Sequence, residues 1–381
     1  MKKNLDNKIH ILFCSRLVKE KGVDILLEVI KKCLSDPLFS EKCIWHITSD
    51  GDFVNEIKDL SSQHETEVKY YGKISQNDLA SLMRRVDFLY MPSRFLETFG
   101  LTALESLACG TGVIGFKKGG LRDFIADDCS LDESNPIESS MNFLKYYLSG
   151  NYQSKSIEIQ PYAREKWAQG LKKIFPVESN IFILHDYNER IGGAEAYIDN
   201  LCDYLPNISY RIVRSSYQGL TSPIKRRVMF IFSIFAFWRG IVVKRKLSLV
   251  KPDIIWMHSI LRYYGYWGLR SVAKYSQRNN VPVYLSHHDV GFITPFPQFI
   301  YSESQIPINA SLQEFLRGLK GKRRFIAIFK WLYIRLLRNA FPKNMKHIIF
   351  SSFLKDHIMN HFQGASVHIL PHTYDENIFH L

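Results

Sequence analysis

Two glutamates eight positions apart carry the densest chemical signal in the chain. In PSRFLETFGLTALESLACG, Glu97 falls in the loop after an apolar run, and Glu105 falls two turns into the helix predicted by LTALESLA. Both then point to the carboxyl edge of a sheet, where open α/β folds take their ligands. The helix start at Thr98, Phe99, Gly100 and Leu101 adds backbone N–H groups and the positive end of a helix dipole, a natural anion site. Arg16 and Lys21, in SRLVKEKG after the first apolar run, put two cations at the same edge, where they can neutralise a diphosphate without a metal. Each signal has a plain structural alternative: Glu97 as a helix-start carboxylate, Glu105 on a solvated face, and the two cations in a solvated loop.

Two further patterns suggest metals and are read otherwise. Ser49-Asp50-Gly51-Asp52 has the spacing of a metal-binding DxD, but the surrounding strand–turn–helix register favours a turn. His357 and His361 stand at i, i+4 in a histidine-rich tail, yet no carboxylate or cysteine completes a site, so no metal is expected.

The elements that must position these groups follow from periodicity. Strands are expected over 9–14, 43–48, 68–71, 87–91 and 112–116, alternating with helices over 23–33, 54–61, 77–85 and 101–109. That alternation specifies a doubly wound parallel sheet. After a polar stretch at 132–160 and a helix over 162–174, a second series begins. Its strands are expected over 180–185, 209–215, 254–258, 283–286 and 347–351, with helices over 195–205 and 268–279. The domains expected are 1–175 and 176–381, both Rossmann-like.

Three stretches of the first half, SRLVKEKGVDILLE, YYGKIS and MPSRFLETFGLTALESLACGTGVIGFKKGGLRDFI, resemble the donor domain of retaining GT-B glycosyltransferases of family 4, with Glu97 and Glu105 as its E-x7-E motif. IFILHDYNERIGGAEAYIDNL, KPDIIWMHS, VYLSHHDVGFITP and ILPHTYDENIF resemble the acceptor domain. The resemblance implies a GT-B fold, two Rossmann-like domains facing a cleft, but in reversed order, since the family begins with its GGAE segment. A circular permutant is the reading; a fusion of two gene remnants is the alternative.

Residue by residue, the resemblance implies that Arg16 and Lys21 bind the donor diphosphate and that Glu97 meets the transferred sugar. It implies that Glu105 meets the ribose and that the amides of Thr98 to Leu101 support phosphate and sugar. Gly192 and Gly193 match the glycine loop that lets the backbone approach the donor phosphates. His288 matches the histidine placed near the anomeric carbon, with His287 competing for that role one position away.

Composition bounds the rest. The 381 residues are 46% apolar and 23% charged, which excludes a disordered or collagen-like chain. The polar first eight residues and six cysteines without CxxC spacing lead us to expect no secretory signal and a reduced, cytosolic compartment. Residues 1–175 hold 24 bases and 24 acids, so the whole formal charge of +13 lies in 176–381. Residues 228–243 are apolar between basic triplets, too short to span a bilayer, and fit a helix or hairpin in the interface. In 322–341, Phe325, Phe329, Leu332, Tyr333 and Leu336 are expected on one face and Arg323, Arg324, Lys330, Arg335 and Arg338 on the other. An anionic membrane surface explains these faces better than nucleic acid does; packing against the sheet is the alternative.

The expectation is a metal-independent transferase without a cofactor, peripheral on the inner face of the cell membrane. It would move a sugar with retention from a nucleotide-diphosphate donor to a carbohydrate or lipid-linked acceptor. A non-catalytic scaffold, or a phosphorylase or epimerase of similar fold, is the alternative.

Overall fold

A computed structural model of the chain describes residues 8–150, 152, 157–176, 178–186, 197–198, 210–214, 236–258, 260, 263–294, 306–307, 311–342, 344–362 and 364–381. It divides into two compact units. The first comprises Met1–Arg164, Gln298–Glu303 and Thr373–Leu381, and the second Glu165–Pro297 and Ser304–His372.

The first unit is built on five parallel strands: β1 (Ile9–Cys14), β2 (Cys43–Thr48), β3 (Val68–Tyr70), β4 (Phe88–Met91) and β5 (Gly112–Gly115). Their order is β3-β2-β1-β4-β5, so the winding reverses between β1 and β4. Helices α1 (Val23–Ser35), α2 (Val54–Gln63), α3 (Gln76–Met83) and α4 (Leu101–Ala108) make the crossovers. Every residue of β2 and β4 is buried, as expected for a sheet covered on both faces. A further helix, α5 (Pro136–Leu148), occupies part of the stretch expected to be polar and irregular. Two of its apolar side chains, Phe143 and Leu144, are buried, and Phe143 stands edge-on to Phe88. Asn135-Pro136 opens the helix, and Ile137, Met141, Leu144 and Leu148 recur at helical spacing along it.

The second unit begins with α6 (Arg164–Ile174), whose Trp167 and Leu171 are buried. Six parallel strands follow: β6 (Ile181–His185), β7 (Tyr210–Arg214), β8 (Ile254–Met257), β9 (Val283–Ser286), β10 (Lys346–Ile349) and β11 (Ser366–Ile369). Their order is β11-β10-β9-β8-β6-β7, and here the winding reverses between β6 and β8. The edge strand β11 carries a weak apolar pattern, which is why periodicity missed it.

Helices α7 (Phe237–Val250), α8 (Gly265–Asn279) and α10 (Gly321–Ala340) share one core with the strands, through Val243, Leu247, Leu269, Val272, Tyr333 and Leu337. A short α9 (Leu312–Phe315) precedes α10, and α11 (Lys355–His361) joins β10 to β11. Among the described residues, no helix is long and apolar enough to cross a membrane.

The basic segments differ from expectation in what they bury. Residues 237–250, the end of the segment expected to be a helix or hairpin in the interface and its continuation, form one helix whose Val243 and Leu247 pack into the core while Phe237, Trp238, Ile241 and Val242 stay exposed, and Arg239 is buried. Its guanidinium donates to the Tyr263 carbonyl at 2.6 Å and stacks over the Tyr263 ring. Residues 228–235 lie outside the described residues. In α10 the buried face is Ala327, Tyr333, Ile334 and Leu337, whereas Phe325, Phe329, Leu332 and Leu336 are exposed. Arg338, expected on the face opposite the aromatics, lies there on the buried side, donates to the Phe292 carbonyl at 3.0 Å, and has its pKa lowered to about 10 by burial. The helix is apolar on two opposite faces, and a single stripe drawn through its aromatics picked the outer one.

Candidate functional site

In the first unit, the loops after β1 and β4 flank the point where the winding reverses, where a parallel sheet opens a crevice for ligands. The β1–α1 loop turns at Gly22, in a left-handed conformation with φ +78°. A Cβ at this glycine would lie 2.1 Å from the Pro92 carbonyl oxygen, so only glycine lets the two loops meet. Phe95 N–H then donates to the Glu20 carbonyl at 3.1 Å.

That contact brings Lys21 against Glu97. Their side chains form an ion pair, each about 15% exposed, with Lys21 also over the Phe95 ring and Ser93 Oγ donating to Glu97 Oε1 at 3.4 Å. The Glu97 carbonyl in turn accepts from Gly120 N–H at 2.8 Å. Gly119 (φ +54°) completes this seat, since a Cβ there would meet the same carbonyl at 2.6 Å. This glycine pair after β5 lies in the stretch that carries the family resemblance, but the sequence reading gave it no role, although KKGG is a visible turn signal.

Arg16 is exposed at the same loop. Thr98 and Leu101 are half-buried, and Gly100 caps α4 in a left-handed conformation at φ +104°. The Phe99 side chain is core, edge-on to Phe124 and Tyr162, which leaves only its backbone for a ligand.

Glu105 is buried in α4, and loss of solvation pushes its carboxyl up to about 8. It sits near the end of β1, where burial drives the Cys14 thiol up to about 11 with the Glu105 charge adding to the effect. Asp50 accepts from Gly51 N–H at 2.8 Å and pairs with Lys73 at 3.3 Å, contacts of a turn at the surface.

In the second unit, histidines collect at the carboxyl ends of the strands. His185 closes β6, His258 follows β8, His288 follows β9, and His372 follows β11. The His258 Nδ1 and His288 Nε2 atoms are 2.8 Å apart, and the Tyr197 ring packs on His258, His288 and His372. His372 stacks on Phe350 at 3.9 Å. Burial depresses His258 and His288 well below the usual imidazole range and takes His372 down to about 3, so these three rings are neutral. Beside them, Asp186 is fully buried and its Oδ1 accepts from Tyr264 N–H at 3.0 Å.

His287, the competing residue, turns the other way. Its Nε2 is 2.9 Å from His347 Nδ1, and its ring lies among Phe292 and Phe362 in the core. Sequence reading singled out His288 but missed His185, His258 and His372, each legible as a histidine at a strand's carboxyl end. Gly192 and Gly193 lie outside the described residues.

Comparison with known proteins adds the following. Residues 2–156 match the family model of glycosyl transferases group 1. An uncharacterized glycosyltransferase of Methanocaldococcus jannaschii is 29% identical over 173 residues, 43% of this chain and 47% of that protein. A D-inositol 3-phosphate glycosyltransferase of an Arthrobacter species is 31% identical over 125 residues, 32% of this chain and 29% of that protein. The chain thus covers less than half the length of either relative. A solved lipopolysaccharide outer core galactosyltransferase is 24% identical, with a TM-score of 0.34 over 41% of this chain and 44% of that one. Within the chain, the region of residues 2–156 is the part that matches glycosyl transferases group 1.

Proposed function

We propose that the chain transfers a sugar from a nucleotide-diphosphate donor to a carbohydrate or lipid-linked glycan, with retention and without a metal ion, at the cytoplasmic face of a membrane. The observation that carries this reading is the Lys21–Glu97 pair beside Arg16 at the reversal point of the first sheet, within the region that matches glycosyl transferases group 1. Curated relatives named as glycosyltransferases support the class of reaction and leave the acceptor open.

In this reading Arg16 and Lys21 meet the diphosphate, with the amino-terminal turn of α4 adding its dipole. As the bond from the anomeric carbon to the phosphate oxygen breaks, the acceptor oxygen bonds to that carbon on the same face. The departing phosphate takes the acceptor's proton, so electrostatic stabilisation of the leaving group does the work of a strong base. Glu97 holds hydroxyls of the transferred sugar, Glu105 those of the ribose, and His288 the family's histidine role. Gly192 and Gly193 would serve the donor phosphates.

The order of the two halves reads as a circular permutation of the family's order. The return of Thr373–Leu381 to the first unit supports it: Phe379 is buried there, and Arg84 donates to the Ile378 carbonyl at 3.1 Å.

The test is a panel of nucleotide sugars, screened first for thermal stabilisation and then for turnover with glycan and glycolipid acceptors in EDTA. A donor at 100 times its Kd should add about 2.7 kcal/mol of stability. Acceptor-dependent consumption in EDTA is the expected result. Turnover only after adding Mn²⁺ or Mg²⁺ would remove the metal-free mechanism, and no donor binding at all would remove the reading.

A further inference from the structure

The outer surface of the α7–α8–α10 layer joins concentrated positive charge to exposed apolar side chains. Between α7 and α8 runs a groove of about 920 Å³. The helices touch where Ser271 Oγ donates to the Gly240 carbonyl at 2.9 Å, and a Cβ at Gly240 would lie 2.8 Å from the Trp267 carbonyl oxygen. Lys244, Lys251, Arg270, Lys274 and Arg278 line the groove against one carboxylate, Asp253, which is already engaged by Asn180 N–H at 2.8 Å. Among the described residues, Lys244, Lys274 and Arg278 form no ion pair. Five cations facing one occupied carboxylate fit an anion of several charges.

Beside the groove, Phe237, Trp238, Ile241 and Val242 are exposed, Ile241 at 58%. On α10, in the same layer, Phe325 (63% exposed) and Phe329 (57%) head the outer apolar stripe that continues through Leu332 and Leu336. Trp, Phe, Ile, Val and Leu side chains next to Lys and Arg suit the boundary between lipid headgroups and acyl chains, and the aliphatic members Ile241, Val242, Leu332 and Leu336 offer nothing on which a base could stack.

We propose that the α7–α8 groove seats the phosphates of anionic membrane lipids while the exposed side chains of α7 and α10 enter the interface. This deepens the membrane part of the proposed function and is independent of the transfer chemistry.

The test is flotation of the full chain with vesicles of phosphatidylcholine alone and of phosphatidylcholine with 30% phosphatidylglycerol. The variant is Lys244→Glu/Lys274→Glu/Arg278→Glu, with Lys244→Gln/Lys274→Gln as a milder companion and circular dichroism to verify folding. The wild type should float only with the anionic vesicles, and the triple variant should lose more than about a hundredfold in partitioning, since each cation near the surface contributes about fivefold and each added glutamate is repelled. Pyrophosphate at millimolar concentration should leave flotation intact; complete competition would reassign the groove to a soluble phosphate ligand. Tighter binding of a single-stranded oligonucleotide than of vesicles would reassign it to nucleic acid. Wild-type flotation that both folded variants retain in full would overturn the groove and leave the membrane reading standing. Wild-type failure on every vesicle would remove both, while the donor-binding assay still reports on transfer.

Discussion

His258 Nδ1 lies 2.8 Å from His288 Nε2, inside a buried cluster where neither ring carries charge. A neutral imidazole has one N–H, so one ring donates and the other accepts. His258 Nε2 has no hydrogen-bond partner, and a buried acceptor left unpaired is tolerated better than a buried donor. The favoured tautomer therefore has His258 donating from Nδ1, which leaves His288 with its proton on Nδ1 as a donor. His258 is then a positioning residue. We expect His258→Phe to lower kcat roughly tenfold, one hydrogen bond's worth, with donor KM unchanged. His258→Asn, which can still donate, should recover part of the loss. Steady-state kinetics on the three proteins decides it, and equal loss in both variants would argue for packing alone.

Acid should destabilise the second unit. Burial holds His258, His287 and His288 well below the usual imidazole value of 6.5, and takes His347 to about 4 and His372 to about 3. In the unfolded chain these groups bind protons once pH falls through 6.5, while the folded state resists, so stability is full above 6.5 and drains away below it. Thermal melts at pH 7.5 and pH 5 should show the drop, and His372→Phe should reduce it. An unchanged pH dependence in that variant would remove His372 from the account.

Glu105 predicts the opposite slope. Its carboxyl is raised by burial from 4.5 to about 8, so between those values the unfolded chain ionises first and stability falls as pH rises. Glu105→Gln should abolish this penalty and stabilise the protein at pH 8 by about 2–4 kcal/mol relative to wild type. If ribose hydroxyls donate to this carboxylate, donor binding should also release a proton near pH 7, measurable by calorimetry in buffers of different ionisation enthalpy.

Glu97→Ala and Glu105→Ala should separate turnover from binding. In the proposed roles Glu97 meets the sugar undergoing change, so its loss should act mainly on kcat, whereas Glu105 meets a part of the donor that does not react, so its loss should act mainly on donor affinity. Purely KM effects of equal size from both would sink the division.

Gly22→Ala tests the scaffold of the site. With φ at +78° and Pro92 O 2.1 Å from the added methyl, the substitution should cost more than about 2 kcal/mol and part Lys21 from Glu97. The measurements are a denaturant melt and donor affinity, and an unperturbed protein would mean that the loops can separate freely.

Much of the first unit was legible in the residues alone, because a buried parallel strand reads as a continuous apolar run and each crossover helix carries its own 3.6-residue period. That local pattern places Arg16, Lys21, Glu97 and Glu105 on strand-end loops and a helix, and the charge of +13 is a property of composition. Adjacency is not local. The Lys21–Glu97 pair spans 76 positions and depends on two backbones meeting at Gly22, and the clustered histidines of the second unit come from four strand ends whose order no spacing discloses. For α10, periodicity finds the helix and its aromatics, yet a helix that is apolar on two sides has no intrinsic inside. Packing of Tyr333 and Leu337 into the core of the second unit decided which face stays outside.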